Sequence, residues 1–142
     1  MNEILTTVVG NAVTDVTTKT LPSGRLVATF RIANNPKKFD KNSNNFIDLD
    51  PNFLQVNCWT NLAENIALSI HKGQPLVVFG KLKVKQVNDG EKNSTFVEID
   101  AISVGHDLSR GVAEFTKIRK NPEFYENENW GEPKEGTQKS VA

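Results

Sequence analysis

The sequence has one cysteine, Cys58, and two histidines, His71 and His106. A lone cysteine cannot close an internal disulfide, and Cys58 has no metal-ligand company nearby in sequence. It reads as a small buried hydrophobe. The histidines are far apart, and neither falls in a metal spacing. His71 lies at the end of a predicted helix, where it suits the helix dipole. The chain also lacks a glycine-rich phosphate loop, a nucleophile elbow and an HExxH pair. Neither catalysis nor a cofactor or metal is expected. No apolar run approaches the roughly 18 residues of a helical membrane span. The start, MNEILTTVVGN, has no basic region followed by an apolar one, so a cytoplasmic protein is expected.

Net charge is absent too, with 17 Lys and Arg against 17 Asp and Glu. The distribution is uneven. Residues 17 to 88 carry ten basic and four acidic residues, whereas residues 121 to 135, NPEFYENENWGEPKE, carry five Glu and one Lys. A basic body and an acidic tail sum to nothing while one face still attracts anions. The length of 142 residues suits one domain with a tail.

Strand signals dominate what is present. TTVVGNAV is β-branched and then meets Gly10, which predicts a first strand that bends or bulges there. After the turn LPSGR, the run RLVATFRIAN alternates, with Leu26, Ala28, Phe30 and Ile32 on one side and Arg25, Val27, Thr29 and Arg31 on the other. Residues 35 to 52 are rich in Asn and Asp and form a long loop or protruding hairpin. In FLQVNCW, residues 53 to 59, Leu54, Val56 and Cys58 share one side. The opposite side, Phe53, Gln55, Asn57 and Trp59, is polar in the middle and aromatic at its ends. It is either a second packed surface or a place where flat groups stack.

A helix follows, with Leu62, Ala63, Ile66, Ala67 and Ile70 as its apolar stripe, Asn61 as the expected N-cap, Glu64 at the third helical position and Gly73 as the stop. PLVVFGKLKVKQV then places Leu76, Val78, Leu82 and Val84 toward a core and Lys81, Lys83 and Lys85 away from it. STFVEIDAISV is a fifth strand, whose Glu98 and Asp100 share a side and read as solvated. Three strands, one helix and two strands is the order of an OB-fold, a five-stranded Greek-key barrel with its helix between the third and fourth strands. A β-sandwich is the competing all-β arrangement. The helix would plug one barrel end.

On this fold three outward strands offer Arg25 and Arg31, then Phe53 and Trp59, then Lys81, Lys83 and Lys85. Cations interleaved with aromatic rings suit single-stranded nucleic acid, because unpaired bases stack on rings while phosphates seek cations. Taken alone, the lysine row would serve equally as a solvated edge that resists aggregation.

VVGN at 8 to 11, PSGRLVATFRIA at 22 to 33, NFLQVNCWTNLAENIALSIHKGQPLVVFGKLK at 52 to 83 and the fifth strand resemble the bacterial single-stranded DNA-binding protein family. The resemblance covers residues 4 to 105, and residues 35 to 59 are most similar to its actinobacterial branch. It implies a homotetramer of OB-folds that coats single-stranded DNA with little sequence preference in replication, recombination and repair, associated with the nucleoid. It implies stacking at Phe53 and Trp59 and, in the preceding hairpin, at Phe39 and Phe46, beside the cations Lys37 and Lys38. Two features depart from the family. Val87 stands where an aromatic is common, and the Gly-rich linker and acidic, hydrophobic tip are replaced by an end reading TQKSVA. A different set of protein partners is therefore expected, with NPEFYENENW either a substitute for the tip or a disordered tail. The alternative function is an OB-fold interaction module of a replication-restart or other assembly complex, with DNA secondary.

The expected organisation is an OB domain over residues 1 to 106, an additional strand over 107 to 120 and an acidic disordered tail over 121 to 142. The additional strand rests on alternation in RGVAEFTKIRK, where Val112, Glu114, Thr116 and Ile118 oppose Ala113, Phe115, Lys117 and Arg119. The resemblance implies that it clasps a neighbouring subunit and buries Phe115 and Ile118. A frayed basic tail is the other reading.

Overall fold

In the computed structural model, residues 2–118 are described. The chain divides into a unit ending at Gly111 and a second beginning at Val112. The first unit holds β1(Leu5–Ala12), β2(Thr17–Thr20), β3(Leu26–Asn34), β4(Lys37–Asp40), β5(Asn45–Asp48), β6(Asn52–Trp59), α1(Thr60–Ser69), β7(Pro75–Asn88) and β8(Asn93–His106).

The main sheet runs β1-β7-β8-β6-β3-β2, and a further pairing of β1 with β3 closes it. The closed path through β1, β7, β8, β6 and β3 is the Greek-key barrel order expected from the sequence. β1 accomplishes the closure by serving two neighbours. It pairs with β7 from Leu5 to Asn11 and with β3 at Asn11 and Ala12. Gly10 sits at this transfer, where a Cβ would collide with the carbonyl of Ala33 on β3. Close approach of β3, rather than a bulge, is what calls for glycine here, since the β1–β7 register runs through Gly10 without a shift. β6 and β8 pair in parallel, Gln55 with Glu98, Val56 with Ile99 and Asn57 with Asp100, and α1 with β7 supplies the long crossover that such a pairing requires.

Alternation fills the barrel. Ala28, Phe30 and Ile32 from β3, Val56 and Cys58 from β6, Leu76 and Val78 from β7 and Ile99 from β8 are buried together. α1 packs against β3 and β6. It contributes Ala63 and Ile66, and Ile70 just beyond its end joins the same cluster. This is the stripe of helical spacing seen in the sequence.

The helix ends differ from expectation. Asn61 is not the N-cap. β6 runs directly into α1, so Trp59 holds the cap position with extended backbone and makes no side-chain cap bond. Thr60 turns the corner at φ 54°, a left-handed conformation uncommon for a β-branched residue. Gly73 does not stop the helix either. α1 ends at Ser69, with the Ile70 amide donating to the Ile66 carbonyl. Gly73, at φ 93°, instead shapes the turn into β7, where its amide donates to the Ala12 carbonyl at 2.7 Å.

Val84 was expected on the core side but is 54% exposed. The register between β7 and β8 shifts between Phe79 and Gly80. β1 leaves β7 at Lys81, and β6 pairs with β8 only from Glu98 to Asp100. Beyond these points β7 and β8 have only each other, so their far halves form a two-stranded arm with no barrel interior to cover Val84.

Residues 111–118 form no strand within the chain. The additional strand is expected against a neighbouring subunit; within the single chain its described residues lie outside every ladder and Phe115 is 82% exposed. A strand needs a partner for its backbone donors and acceptors, and this segment finds none in its own chain's ladders. The rest of that segment and the tail over 121–142 lie outside the described residues.

Cys58 is buried as expected. Its burial and the nearby charge of Asp100 push the thiol from 9.0 up to about 12. Between these values the unfolded chain ionises and the folded chain does not. The contribution to stability is intact below 9.0 and is lost as pH rises toward 12. Cys58 should thus resist 5,5′-dithiobis(2-nitrobenzoate) at pH 8 in the native protein and react promptly in denaturant. Fast native reaction would place the thiol outside the core.

Candidate nucleic-acid interface

The outward sides of β3, β6, β8 and β7 form one continuous face, because the register carries residues of the same side from strand to strand. One row reads Thr29, Asn57, Asp100, Lys81, and the next reads Arg31, Gln55, Glu98, Lys83. Arginines from β3 and its leading turn, aromatics from β6 and lysines from β7 therefore meet on a single surface. The question raised by the polar and aromatic side of β6 resolves in favour of a surface. Phe53 is exposed, Trp59 and Gln55 are half-buried, and Asn57 alone is buried.

Each aromatic of β6 has a guanidinium beside it. The Arg25 guanidinium lies over Trp59, 4.7 Å from the ring centroid, and that of Arg31 lies 6.0 Å from the Phe53 centroid. Exposed cation–π pairs contribute about 0.5–1 kcal/mol. That is less than the roughly 1–3 kcal/mol of a stacked base, so an incoming base can displace the guanidinium and leave it free for a phosphate. Beside Phe53, a cleft of about 600 Å³ is lined by Val8, Leu54, Leu82 and Val97 together with Asn34 and Asn52.

The lysines stand in the same face, each with a carboxylate partner. Lys81 pairs with Glu3 at 2.9 Å, Lys83 with Asp100 at 2.6 Å and Lys85 with Glu98 at 3.2 Å. The hydrogen bond and charge of Asp100 raise the pKa of Lys83, which keeps it cationic. The reading of Glu98 and Asp100 as solvated is corrected. Their side chains are only 12% and 20% exposed. The Asn57 Nδ2 donates to both, at 3.3 Å to Glu98 Oε2 and 3.3 Å to Asp100 Oδ1. Gln55 Nε2 in turn donates to Asn57 Oδ1 at 2.9 Å. A chain of donors thus runs across the middle of the face and fixes two carboxylates between the aromatics and the lysines.

Phe39 and Phe46 belong to a different surface. They are cross-strand partners in the separate two-stranded sheet of β4 and β5, with centroids 5.4 Å apart at 69°. Both rings are exposed, and Lys38 stands on the same hairpin. Lys37 approaches Asp48 at 4.0 Å between highly exposed side chains. Such a pair is worth little and leaves the lysine available.

One aromatic escaped sequence reasoning. Phe96 is exposed and in register with Lys85. The signal was available, since in STFVEID Phe96 shares a side with Glu98 and Asp100. Val87, the departure at the end of the fourth strand, is exposed on the same arm.

The model of the family described as "Single-strand binding protein family" matches residues 1–106. A single-stranded DNA-binding protein of Corynebacterium glutamicum is 43% identical over 110 residues, which cover 76% of this chain and 48% of that protein. The chain thus spans about half the length of that relative. Single-stranded DNA-binding protein 2 of Streptomyces avermitilis is 37% identical over an alignment covering 99% of this chain and 92% of that protein. Among solved structures, the small single-stranded DNA-binding protein from Streptomyces coelicolor superposes with a TM-score of 0.70 at 36% identity. That match covers 78% of this chain and all of the other.

The donor chain makes Asn57 the least replaceable polar residue of the face. Asn57→Ala would leave two recessed carboxylates without their shared donor, at a cost of about 1–3 kcal/mol. Urea denaturation checks this, and an unchanged midpoint would show that Lys83 and Lys85 alone satisfy the two carboxylates.

Proposed function

The chain belongs to the single-strand binding protein family, and from that premise we propose that it binds single-stranded DNA without marked sequence preference and protects it in replication, recombination and repair. The observation that carries this reading is the shared outward face of β3, β6, β8 and β7, where Arg25 and Arg31 lie over Trp59 and Phe53 and Lys81, Lys83 and Lys85 complete the surface. Bases stack on Phe53 and Trp59 while phosphates take the guanidinium groups and approach the lysines beside their carboxylate partners. Phe39, Phe46, Lys37 and Lys38 extend the path onto the β4–β5 hairpin. Every rigid aromatic offered is sequence-tolerant, because each base has a π-face. The role is one of binding, not catalysis, and its place is with DNA in the cytoplasm. The alternative of an assembly module with DNA secondary is not favoured by the family match or by the relatives' names.

The working unit is a homo-oligomer, a tetramer by resemblance. Supporting this, Leu5, Val9 and Phe79 stand exposed on β1 and β7, an apolar outer side that a second copy can cover. The segment over 107–120 supplies the clasp, since the backbone of residues 111–118 joins no ladder within the chain and the strand edge of a neighbouring subunit would give it one.

Titrating oligo(dT) while following tryptophan fluorescence tests the central reading. Quenching that saturates, and reverses as salt is added, is expected. Trp59→Ala should weaken binding by about 1–3 kcal/mol, the value of one stacked base, with little change in melting temperature. A large drop in melting temperature would instead assign the half-buried ring to the core.

For the clasp, removal of residues 110–142 should shift the sedimentation coefficient toward smaller species, while removal of 122–142 leaves it unchanged. Identical sedimentation of both truncations and the full chain would refute it.

A further inference from the structure

We propose that Glu98 and Asp100 are specificity determinants of this face: by neutralising Lys83 and Lys85 they make binding depend on exposed bases, so that duplex DNA and other polyanions are rejected. The inference rests on reading the face as a path for single-stranded DNA.

The geometry is that of an occupied ion exchanger. The ammonium groups of Lys83 and Lys85 lie 2.6 Å from Asp100 and 3.2 Å from Glu98, yet the lysine side chains remain more than half exposed. A phosphate can approach them from solvent. It cannot take them without stretching or breaking an ion pair, and it then faces a carboxylate at short range. The carboxylates cannot swing away to relieve this. They are recessed in the sheet, and Asn57 holds both. Asn57 itself is buried and accepts from Gln55. Two fixed negative charges therefore sit under two mobile positive ones, and this part of the face is neutral. Lys81 has its own carboxylate in Glu3.

Neutrality has a directional consequence. Phosphate contacts are common to single strands, duplexes and polyanions such as heparin, and supply the sequence-independent part of binding. Stacking on Phe53 and Trp59 is open only to unpaired bases. Cancelling the charge around the aromatics removes the part that every polyanion shares and keeps the part that single strands alone can use. Specificity is thereby obtained by weakening the competitor rather than by strengthening the ligand.

The test compares the full chain with the double variant E98Q/D100N. Glutamine and asparagine keep an oxygen that can accept from Asn57 while removing the charge. Binding of oligo(dT) and of a duplex of equal length is measured across NaCl concentrations, with melting temperature as the folding control. The double variant should bind the duplex on the order of tenfold more tightly at low salt and so lower the preference for single strands. Its slope of log affinity against log salt should steepen by up to about 1.8 for the duplex and about 1.4 for oligo(dT), the values for two added phosphate contacts at about 0.9 and about 0.7 each. Unchanged slopes and an unchanged preference would overturn the proposal. K83Q/K85Q provides an independent arm that leaves the sheet's carboxylates in place. It should raise the preference for single strands over duplex, and a lowered or unchanged preference would also overturn the proposal. Should the unaltered chain fail to bind oligo(dT), the reading of the face as a DNA path fails instead, which separates the two outcomes.

Discussion

Three rungs of parallel ladder between β6 and β8 hold the molecule together in two senses. Val56 and Ile99, the middle rung, are both fully buried and link the two halves of the barrel core. The flanking rungs, Gln55 with Glu98 and Asn57 with Asp100, point the other way and build the polar seam of the outer face. Period-two alternation makes one short pairing serve as core on one side and as electrostatics on the other. Loss of this ladder would open the barrel and separate the aromatics of β6 from the lysines of β7 at the same time.

Two glycines let the strands close around that ladder. Gly10 admits β3 against β1, and Gly80 admits β8 against β7, since a Cβ at Gly80 would strike the Asp100 backbone. The register shift between Phe79 and Gly80 then releases the far halves of β7 and β8 from the barrel. Lys81 remains over the barrel, where β1 still pairs with β7, while Lys85 and Phe96 lie on the arm. The proposed binding surface is therefore longer than the barrel that supports it. It passes from a rigid floor to a two-stranded extension with less packing behind it.

The face combines attraction and restraint. Arg25 and Arg31 sit over aromatic rings and are held by weak contacts that a base can replace. Lys83 and Lys85 sit over recessed carboxylates and are held by stronger ones. On the proposed reading, a ligand with bases meets the first pair on favourable terms, whereas a ligand with phosphates alone meets mainly the second.

Much of this was legible in the sequence. Alternation in RLVATFRIAN and FLQVNCW fixed which residues of β3 and β6 face outward, helical spacing identified Ala63, Ile66 and Ile70 as core, and the order of elements indicated the barrel. Sequence reading went astray where an element's end or neighbour was at issue. Asn61 looked like a cap because the direct passage of β6 into α1 could not be seen. Val84 looked buried because alternation says which side a residue takes but not whether anything lies there. Glu98 and Asp100 looked solvated because their partners, Asn57, Lys83 and Lys85, come from other strands. The sequence by itself determined the side of each strand on which cation, ring or carboxylate stands, since that follows from local backbone geometry. Only the tertiary structure decided which of them touch, because non-local pairing, above all the parallel register of β6 with β8, selects neighbours that no local period encodes.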